Sequence, residues 1–234
     1  MIFFIPARKG SERVPGKNVR KLCGRWLIEY TFDAAVEACG GDREKVVVSS
    51  DDDDVLSKAS DYGFRAVLRP ADLCTSHAKM NEVIFHHAPD FAGEDVMVLY
   101  PTSPFRGAAA VARALSAWES LGGEDKVLMS VERVMHRPYG LMKIDEHTGE
   151  LNLMVAEGTT YYQSQGQPSL YRANGAIYVI ANSLIRTRRL DAQLFGPFTI
   201  PHVMGAMESF EVDTETDFEI ASAIVVSRKT EARC

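Results

Sequence analysis

Apolar and polar positions fall in blocks along this chain: short unbroken apolar runs of strand length are separated by longer stretches in which apolar residues recur at helical spacing. The runs at 2–5, 46–48, 96–99, 127–131 and 177–180 read as strands, and 66–68 as a short edge strand. Between them, residues 26–39 place Leu27, Tyr30, Thr31, Ala34, Ala35 and Ala38 at i, i+3, i+4 spacing, and Gly40-Gly41 ends that helix. Asp51 to Asp54 leads into a helix through about Tyr62, the Ala-rich stretch 107–121 is helical, and 218–226 is a closing helix. Strand and helix alternate, which predicts an α/β fold with a mostly parallel sheet flanked by helices.

The segment at about 135–167 breaks this rhythm. Short pieces at 141–144 and 151–155 flank Asp145-Glu146-His147-Thr148-Gly149, which reads as a β-hairpin insertion. Tyr161-Tyr162 and the polar run 163–167 make poor core, so a subunit interface or a lid over a polar ligand is the expectation there. The chain shows no internal repeat and no low-complexity linker, so a single domain over 1–234 carrying that insertion is expected.

Composition agrees with one substantial core: of 234 residues, 46% are hydrophobic and 25% charged. A net charge of -6 argues against nucleic acid as the main partner, since duplex binding needs a basic face. The four cysteines, Cys23, Cys39, Cys74 and Cys234, have no C-x-x-C spacing, so reduced thiols are expected and disulfides are not. The opening apolar run is too short for a signal-peptide core, and no segment approaches the ~20 apolar residues of a membrane span. A soluble, cytoplasmic protein without a membrane partner is the expectation.

Against that acidic background the first strand runs into Pro6-Ala7-Arg8-Lys9-Gly10-Ser11-Glu12-Arg13-Val14-Pro15-Gly16-Lys17-Asn18. Four cations and two glycines after a strand suit an anion such as phosphate, because glycine lets the backbone approach a ligand closely. A solvated basic surface loop is the plainer alternative. The loop is not a Walker A motif, since Gly10 and Gly16 enclose five residues and Asn18 follows Lys17; the dinucleotide G-x-G-x-x-G pattern is absent as well.

In an open α/β sheet, ligands bind beyond the carboxyl ends of the strands. Three further tips carry polar chemistry: Ser49-Ser50-Asp51, Tyr100-Pro101-Thr102-Ser103-Pro104-Phe105-Arg106, and Glu211-Val212-Asp213 before the last helix. Glu211 and Asp213 sit at i, i+2, so an extended backbone points both carboxylates to one side, where they can share a divalent ion; Mg²⁺ with phosphate is the natural partner. The competing account is helix capping, for which Thr216-Asp217-Phe218-Glu219 is a capping-box pattern that leaves Glu211 and Asp213 unexplained. Capping accounts for at least three of Asp51 to Asp54, and only Asp51 is expected near the cleft. Adjacent His86 and His87 point about 100° apart on a helix and make no metal pair. No G-x-S-x-G elbow is present, so direct displacement on a nucleotide phosphate is the chemistry left.

These motifs together resemble the cytidylyltransferases that make CMP-activated sialic acids and related nine-carbon acids, nearly end to end. Pro6-Ala7-Arg8 with Ser11, Pro15, Lys17 and Asn18 is similar to that family's CTP loop; Leu68-Arg69-Pro70-Ala71-Asp72-Leu73 and Pro101 to Arg106 resemble its next signatures. Tyr171-Arg172-Ala173-Asn174-Gly175-Ala176-Ile177-Tyr178 is similar to its sugar-site segment and Asp213-Thr214-Glu215 to its metal motif. The resemblance implies a Rossmann-like nucleotidyltransferase fold with an inserted dimerisation element at about 135–167, a homodimer, CTP and an acidic sugar as substrates, and Mg²⁺ as cofactor. It implies catalytic roles for Arg8, Lys17 and Asp213; nucleotide contacts from Arg8, Ser11, Lys17, Asn18, Lys79, Pro101, Thr102 and Ser103; sugar contacts from Tyr100, Gln165, Arg172, Asn174, Tyr178 and Glu211; and metal ligation by Asp213 and Glu211.

Several positions depart from the family pattern. Tyr100 stands where a glutamine is common, Glu211 where the first of two aspartates is, Ser164 where an arginine often precedes Gln165, Lys79 where a small hydroxyl residue is usual, and Glu12 where a lysine is common. The leading expectation is CMP transfer to a sialic or legionaminic acid-like sugar. A cytidylyltransferase for another acidic sugar such as KDO, and a nucleotide-binding paralogue without turnover, stay as alternatives.

Overall fold

The computed structural model describes residues 1–122, 124–134, 141–154 and 169–231. Two compact units divide the chain: Met1–Val131 with Ala173–Cys234, and Glu132–Arg172.

The first unit is built on a seven-stranded sheet in the order β11-β7-β10-β6-β1-β4-β5. Its strands are β1 (Ile2–Pro6), β4 (Val46–Ser50), β5 (Arg65–Leu68), β6 (Val96–Leu99), β7 (Lys126–Arg133), β10 (Tyr171–Ile180) and β11 (Phe198–Val203); the tips of β7 and β10 run into the second unit. β1 pairs parallel to both β4 and β6, β4 to β5 and β7 to β11, while β10 runs antiparallel to β6. Every residue of β1, β4 and β6 is buried, which is what an uninterrupted apolar run requires when helices cover both faces. The sheet is thus mostly parallel, as the β-α rhythm predicts, and β5 is the edge strand expected from its brevity.

The helices are α1 (Leu27–Ala38), α2 (Asp53–Asp61), α3 (Met80–His86), α4 (Ala108–Leu121), α5 (Asn182–Arg186) and α6 (Glu215–Glu231). α1 and α4 pack together, and Gly40 and Gly41 end α1 with φ of 62° and 89°, a conformation open to glycine without strain. Asp52 is the N-cap of α2, accepting from the Asp54 N–H at 3.2 Å, with Asp53 and Asp54 in the first turn. Two two-residue strands, β2 (Lys21–Leu22) and β3 (Arg25–Trp26), form a small ribbon ahead of α1.

The capping expectation for the last helix is corrected. α6 begins at Glu215, and its reciprocal box is formed by Thr214 and Asp217, two residues earlier than the pattern at Thr216 and Glu219. The Thr214 N–H donates to Asp217 Oδ2 at 2.8 Å while the Asp217 N–H donates to Thr214 Oγ1 at 3.2 Å. The reason is local: Asp217 also takes the Asp213 N–H at 3.1 Å, so the box that wins is the one that satisfies the incoming backbone as well.

A second, smaller core of Val14, Leu22, Leu27, Val212, Phe218, Ala221 and Val225 lies apart from the main one. It matters for function because it anchors the basic loop, through Val14, against α6 and the residue between Glu211 and Asp213.

In the second unit, β8 (Met142–Ile144) and β9 (Leu151–Leu153) pair antiparallel, with Met142 opposite Leu153 and Ile144 opposite Leu151. The hairpin expected within 135–167 is therefore present. Tyr161, Tyr162 and residues 163–167, including Ser164 and Gln165, lie outside the described residues, as does Cys234; Cys39 and Cys74 are free thiols.

Candidate functional site

The loop after β1 is held in place before it can hold anything else. The Ala7 N–H donates to the Ser49 carbonyl at 2.8 Å, Ser50 Oγ donates to the Ala7 carbonyl at 2.6 Å, and the Lys9 N–H donates to Asp51 Oδ1 at 2.7 Å. Asp51 thus faces the loop, and its role is to fix the loop's backbone. Asn18 Nδ2 donates to the Arg8 carbonyl at 3.0 Å, closing the loop on itself, and Gly16 takes the left-handed conformation (φ 63°) that starts the turn carrying Lys17.

Lys17 reaches across the molecule. Its ammonium donates to the Val212 carbonyl at 2.8 Å and to Asp213 Oδ1 at 3.0 Å, and Arg13 lies 3.6 Å from the other Asp213 oxygen. Lys17 is largely covered whereas Asp213 is 41% exposed, so the carboxylate keeps an open side. This meeting of residues 195 apart depends on the small second core, since no local sequence term brings them together.

Lys17 of that pair stands in the wall of a cleft of about 160 Å³, lined besides by Arg8, Ser11, Asn18, Tyr100, Pro101 and Thr102, with Gly10, Arg69 and Met80. It sits beyond the carboxyl ends of β1, β5 and β6, where open α/β sheets bind ligands. A larger concavity, about 480 Å³ and lined by Glu94, Trp118 and Lys126 among others, opens at the amino ends of β1 and β6; it has neither the glycine loop nor converging cations. A second hollow of about 380 Å³ shares Met80 and Tyr100 with the basic cleft and continues along Ala173, Tyr178, Gln193, Leu194 and Phe195. Tyr100 and Tyr178 meet edge to face at 5.9 Å. Burial, followed by the charge of Glu211, raises the Tyr178 phenol, and burial raises Tyr100 further, so neither is a base at neutral pH.

Of the expected nucleotide residues, Arg8, Ser11, Lys17, Asn18, Pro101 and Thr102 come together in one cleft. Lys79 does not line it: it is the exposed N-cap of α3, and Met80 takes the place at the wall. Ser103 is turned inward and buried, its hydroxyl without a hydrogen-bond partner among the described residues. Of the expected sugar contacts, Tyr100 and Tyr178 line the adjoining hollow. Asn174 is buried in a closed network instead, donating to Ser209 Oγ at 2.8 Å and accepting from Ser130 Oγ at 2.5 Å and the Ala176 N–H. Arg172 belongs to the second unit, where its Nε donates to Glu132 at 2.7 Å.

Glu211 accepts from Thr102 Oγ1 at 3.2 Å, and its carboxylate packs on Gly175, where an added Cβ would meet Oε1 at 3.4 Å. Gly175 has φ of +65°, so both its backbone and its neighbour ask for glycine. For a divalent ion the residues fit in part: Mg²⁺ takes one or two carboxylates and completes its shell with water and phosphate oxygens, which the open side of Asp213 beside a cationic cleft satisfies. Among the described residues no group of three or more His, Cys, Asp or Glu side chains is placed to enclose a metal by itself.

Arg69 was not among the expected contacts. It follows β5 directly, so the rule about strand tips would have found it; it lines the basic cleft while only 3% exposed, and burial lowers its pKa from the ordinary guanidinium value.

Comparison with known proteins agrees with this geometry. A family model described as cytidylyltransferase matches residues 2–224. The chain is 30% identical over 227 residues to an N-acylneuraminate cytidylyltransferase of Escherichia coli O18:K1:H7, covering 96% of this chain and 52% of that protein, so the chain spans about half that relative's length. It is 28% identical over 230 residues to a CMP-N,N'-diacetyllegionaminic acid synthase of Legionella pneumophila, covering 94% of each. Among solved structures, a CMP:2-keto-3-deoxy-manno-octonic acid synthetase complexed with CTP shares the fold, with a TM-score of 0.70 at 16% identity over 97% of this chain and 98% of the other.

Proposed function

The chain belongs to the cytidylyltransferase family, and from that premise we propose that it transfers CMP from CTP to the anomeric hydroxyl of a nine-carbon acidic sugar of the sialic or legionaminic type. The observation that carries this reading is the convergence of Arg8, Ser11, Lys17 and Asn18 with Pro101 and Thr102 on one cleft whose lysine touches Asp213.

The sugar hydroxyl attacks the α-phosphorus of CTP, the new C–O–P bond forms in line with departure of pyrophosphate, and the hydroxyl proton passes to water. Arg8 and Lys17 neutralise the triphosphate, whose charge grows on the leaving pyrophosphate, and their preset positions supply the electrostatic part of catalysis. Asn18 keeps the loop folded on itself through the Arg8 carbonyl, which holds Arg8 and Lys17 at the cleft. Asp213 would hold Mg²⁺, with Glu211 as the second carboxylate; bound there, the ion would neutralise phosphate oxygens and orient them. Tyr100 and Tyr178 shape the sugar side and leave the proton to solvent, since burial keeps both phenols protonated.

A homodimer belongs to the same proposal. In the second unit the cross-strand pairs Met142 with Leu153 and Ile144 with Leu151 put four apolar side chains on one face of the β8–β9 ribbon, and all four are exposed in the single chain. An apolar face of this kind is covered by a partner in stable proteins, and a second copy is the partner proposed.

The test is pyrophosphate release by the purified protein with magnesium, CTP and separately N-acetylneuraminic, legionaminic, pseudaminic or KDO acid, each against a control without sugar. Release with one of the nine-carbon acids is expected. Release with KDO alone would move the substrate to the eight-carbon class, and CTP binding without release for any sugar would favour a paralogue without turnover.

A further inference from the structure

Behind the basic cleft runs a line of four side chains from three different parts of the chain, three of them buried (Ser49, Arg69 and His87) and the fourth, Asp90, partly exposed. His87, at the end of α3, has Nδ1 2.8 Å from Asp90 Oδ2 and Nε2 2.8 Å from Ser49 Oγ. Arg69 Nε donates to the same Ser49 hydroxyl oxygen at 3.0 Å, and its Nη2 donates to the Ser49 carbonyl at 2.9 Å. At the far end Arg65 donates to the Asp90 carbonyl at 2.8 Å and lies 3.4 Å from Asp90 Oδ1.

Only one assignment of protons satisfies every member. Arginine can only donate, so Ser49 Oγ accepts from Arg69 and must send its own hydrogen to His87 Nε2. His87 is then neutral, with its remaining hydrogen on Nδ1 directed at Asp90. The surroundings favour that form: burial lowers the His87 pKa, and His86 and Arg69 add positive charge that works against Asp90.

Carboxylate, imidazole and hydroxyl stand here in the order used by serine hydrolases. Ser49 is completely buried and His87 is 2% exposed, and the serine oxygen already carries the arginine. No substrate reaches that hydroxyl, so the line does not serve attack.

What the line does reach is the cleft, because Arg69 is one of its lining residues. We propose that Asp90, His87 and Ser49 are positioning residues that lock the Arg69 guanidinium at the wall of the nucleotide cleft. Two of its donors are fixed on one serine, which sets the plane of the guanidinium and leaves the rest of the fork directed by the protein instead of by solvent. An arginine held this way is already ordered when the nucleotide arrives, so binding is not opposed by freezing its rotamers. The inference rests on the reading of the cleft as the CTP site.

The experiment is a double-mutant cycle with Ser49→Ala and Arg69→Ala, read by CTP affinity in calorimetry, together with the ¹⁵Nε–H signal of Arg69 in the full-length protein. Ser49→Ala is expected to weaken CTP binding about tenfold, the loss of one hydrogen bond to a charged group, and to have no further effect once Arg69 is alanine. The Arg69 Nε–H should exchange slowly with water in the unmodified protein and rapidly in Ser49→Ala. Equal effects of Ser49→Ala in both backgrounds, or no effect with a slow Nε–H signal retained, would overturn the proposal. If the unmodified protein does not bind CTP, the reading of the cleft fails on its own account, and the Arg69 signal in Ser49→Ala still decides whether the line positions the arginine.

Discussion

Single residues decide the chemistry where a cleft side chain answers to a partner far away in sequence, as Lys17 does to Asp213. Asp213→Ala removes the carboxylate that Lys17 of the cleft holds, and turnover is expected to fall at least a hundredfold in the pyrophosphate assay. Thermal stability should change little, since a half-exposed ion pair contributes under about 1 kcal/mol. Lys17→Met should raise the KM for CTP by roughly tenfold to a hundredfold, the loss of a charge-assisted contact to phosphate, with the sugar KM less affected. Arg106 makes the opposite case. It is wholly buried with no carboxylate partner among the described residues, donating to the Ala176 carbonyl at 2.9 Å and Thr31 Oγ1 at 2.8 Å, and burial alone brings its pKa down to about 9. Its work is to tie β10 to α1 behind the loop at 101–106. Arg106→Ala should therefore cost about 3–5 kcal/mol in urea unfolding, from the cavity and the stranded carbonyl.

Among the elements, the start of α6 and the end of α3 do more than terminate helices. The Thr214–Asp217 box caps α6 and also holds the Asp213 N–H, so it sets the angle at which the Asp213 carboxylate meets Lys17. Thr214→Ala should cost about 1 kcal/mol of stability, and Asp217→Ala should reduce kcat more than that loss alone explains, when both are compared by kinetics and thermal melting. At the end of α3, burial holds the His87 pKa below the ordinary 6.5, with Asp90 opposing it and His86 and Arg69 reinforcing it. A base with a lower pKa folded than unfolded contributes its stability in full above 6.5 and loses it as pH falls through the folded value, because the unfolded chain takes up the proton first. The denaturation midpoint should therefore fall between about pH 7.5 and about pH 5.5, and His87→Gln should flatten that slope.

For the whole molecule, the apolar face of the β8–β9 ribbon is where the proposed homodimer would form. The unmodified chain is expected to sediment as a dimer and the Ile144→Lys, Leu151→Glu variant as a monomer, because like apolar faces would no longer cover one another. The described residues contain no helix long and apolar enough to cross a membrane, which agrees with the low apolar run lengths in the sequence. Much of this architecture could be read directly from local chemistry. The buried strands are unbroken apolar runs, the helices carry their own spacing, Gly40-Gly41 ends α1, and the cationic glycine loop follows β1, so a parallel α/β sheet with an anion site at its carboxyl edge follows from pattern alone. β11 escaped because Phe198 to Val203 is half-exposed and holds Pro201, a composition that only a sheet edge tolerates. The capping box of α6 was placed two residues late because two Thr-x-x-acid pairs compete locally and the choice between them is made by the Asp213 N–H. Asn174 looked like a pocket residue, yet Ser130 and Ser209, from distant segments, claim its amide. Lys17 meeting Asp213, and Arg69 locked by Ser49 and His87, likewise need the small second core and the order of the strands. The sequence by itself determined the elements and the kind of chemistry, because both reside in neighbouring residues. Only the tertiary structure decided which polar groups face the cleft and which are consumed inside, because a buried polar group takes whichever partner the packing brings within reach.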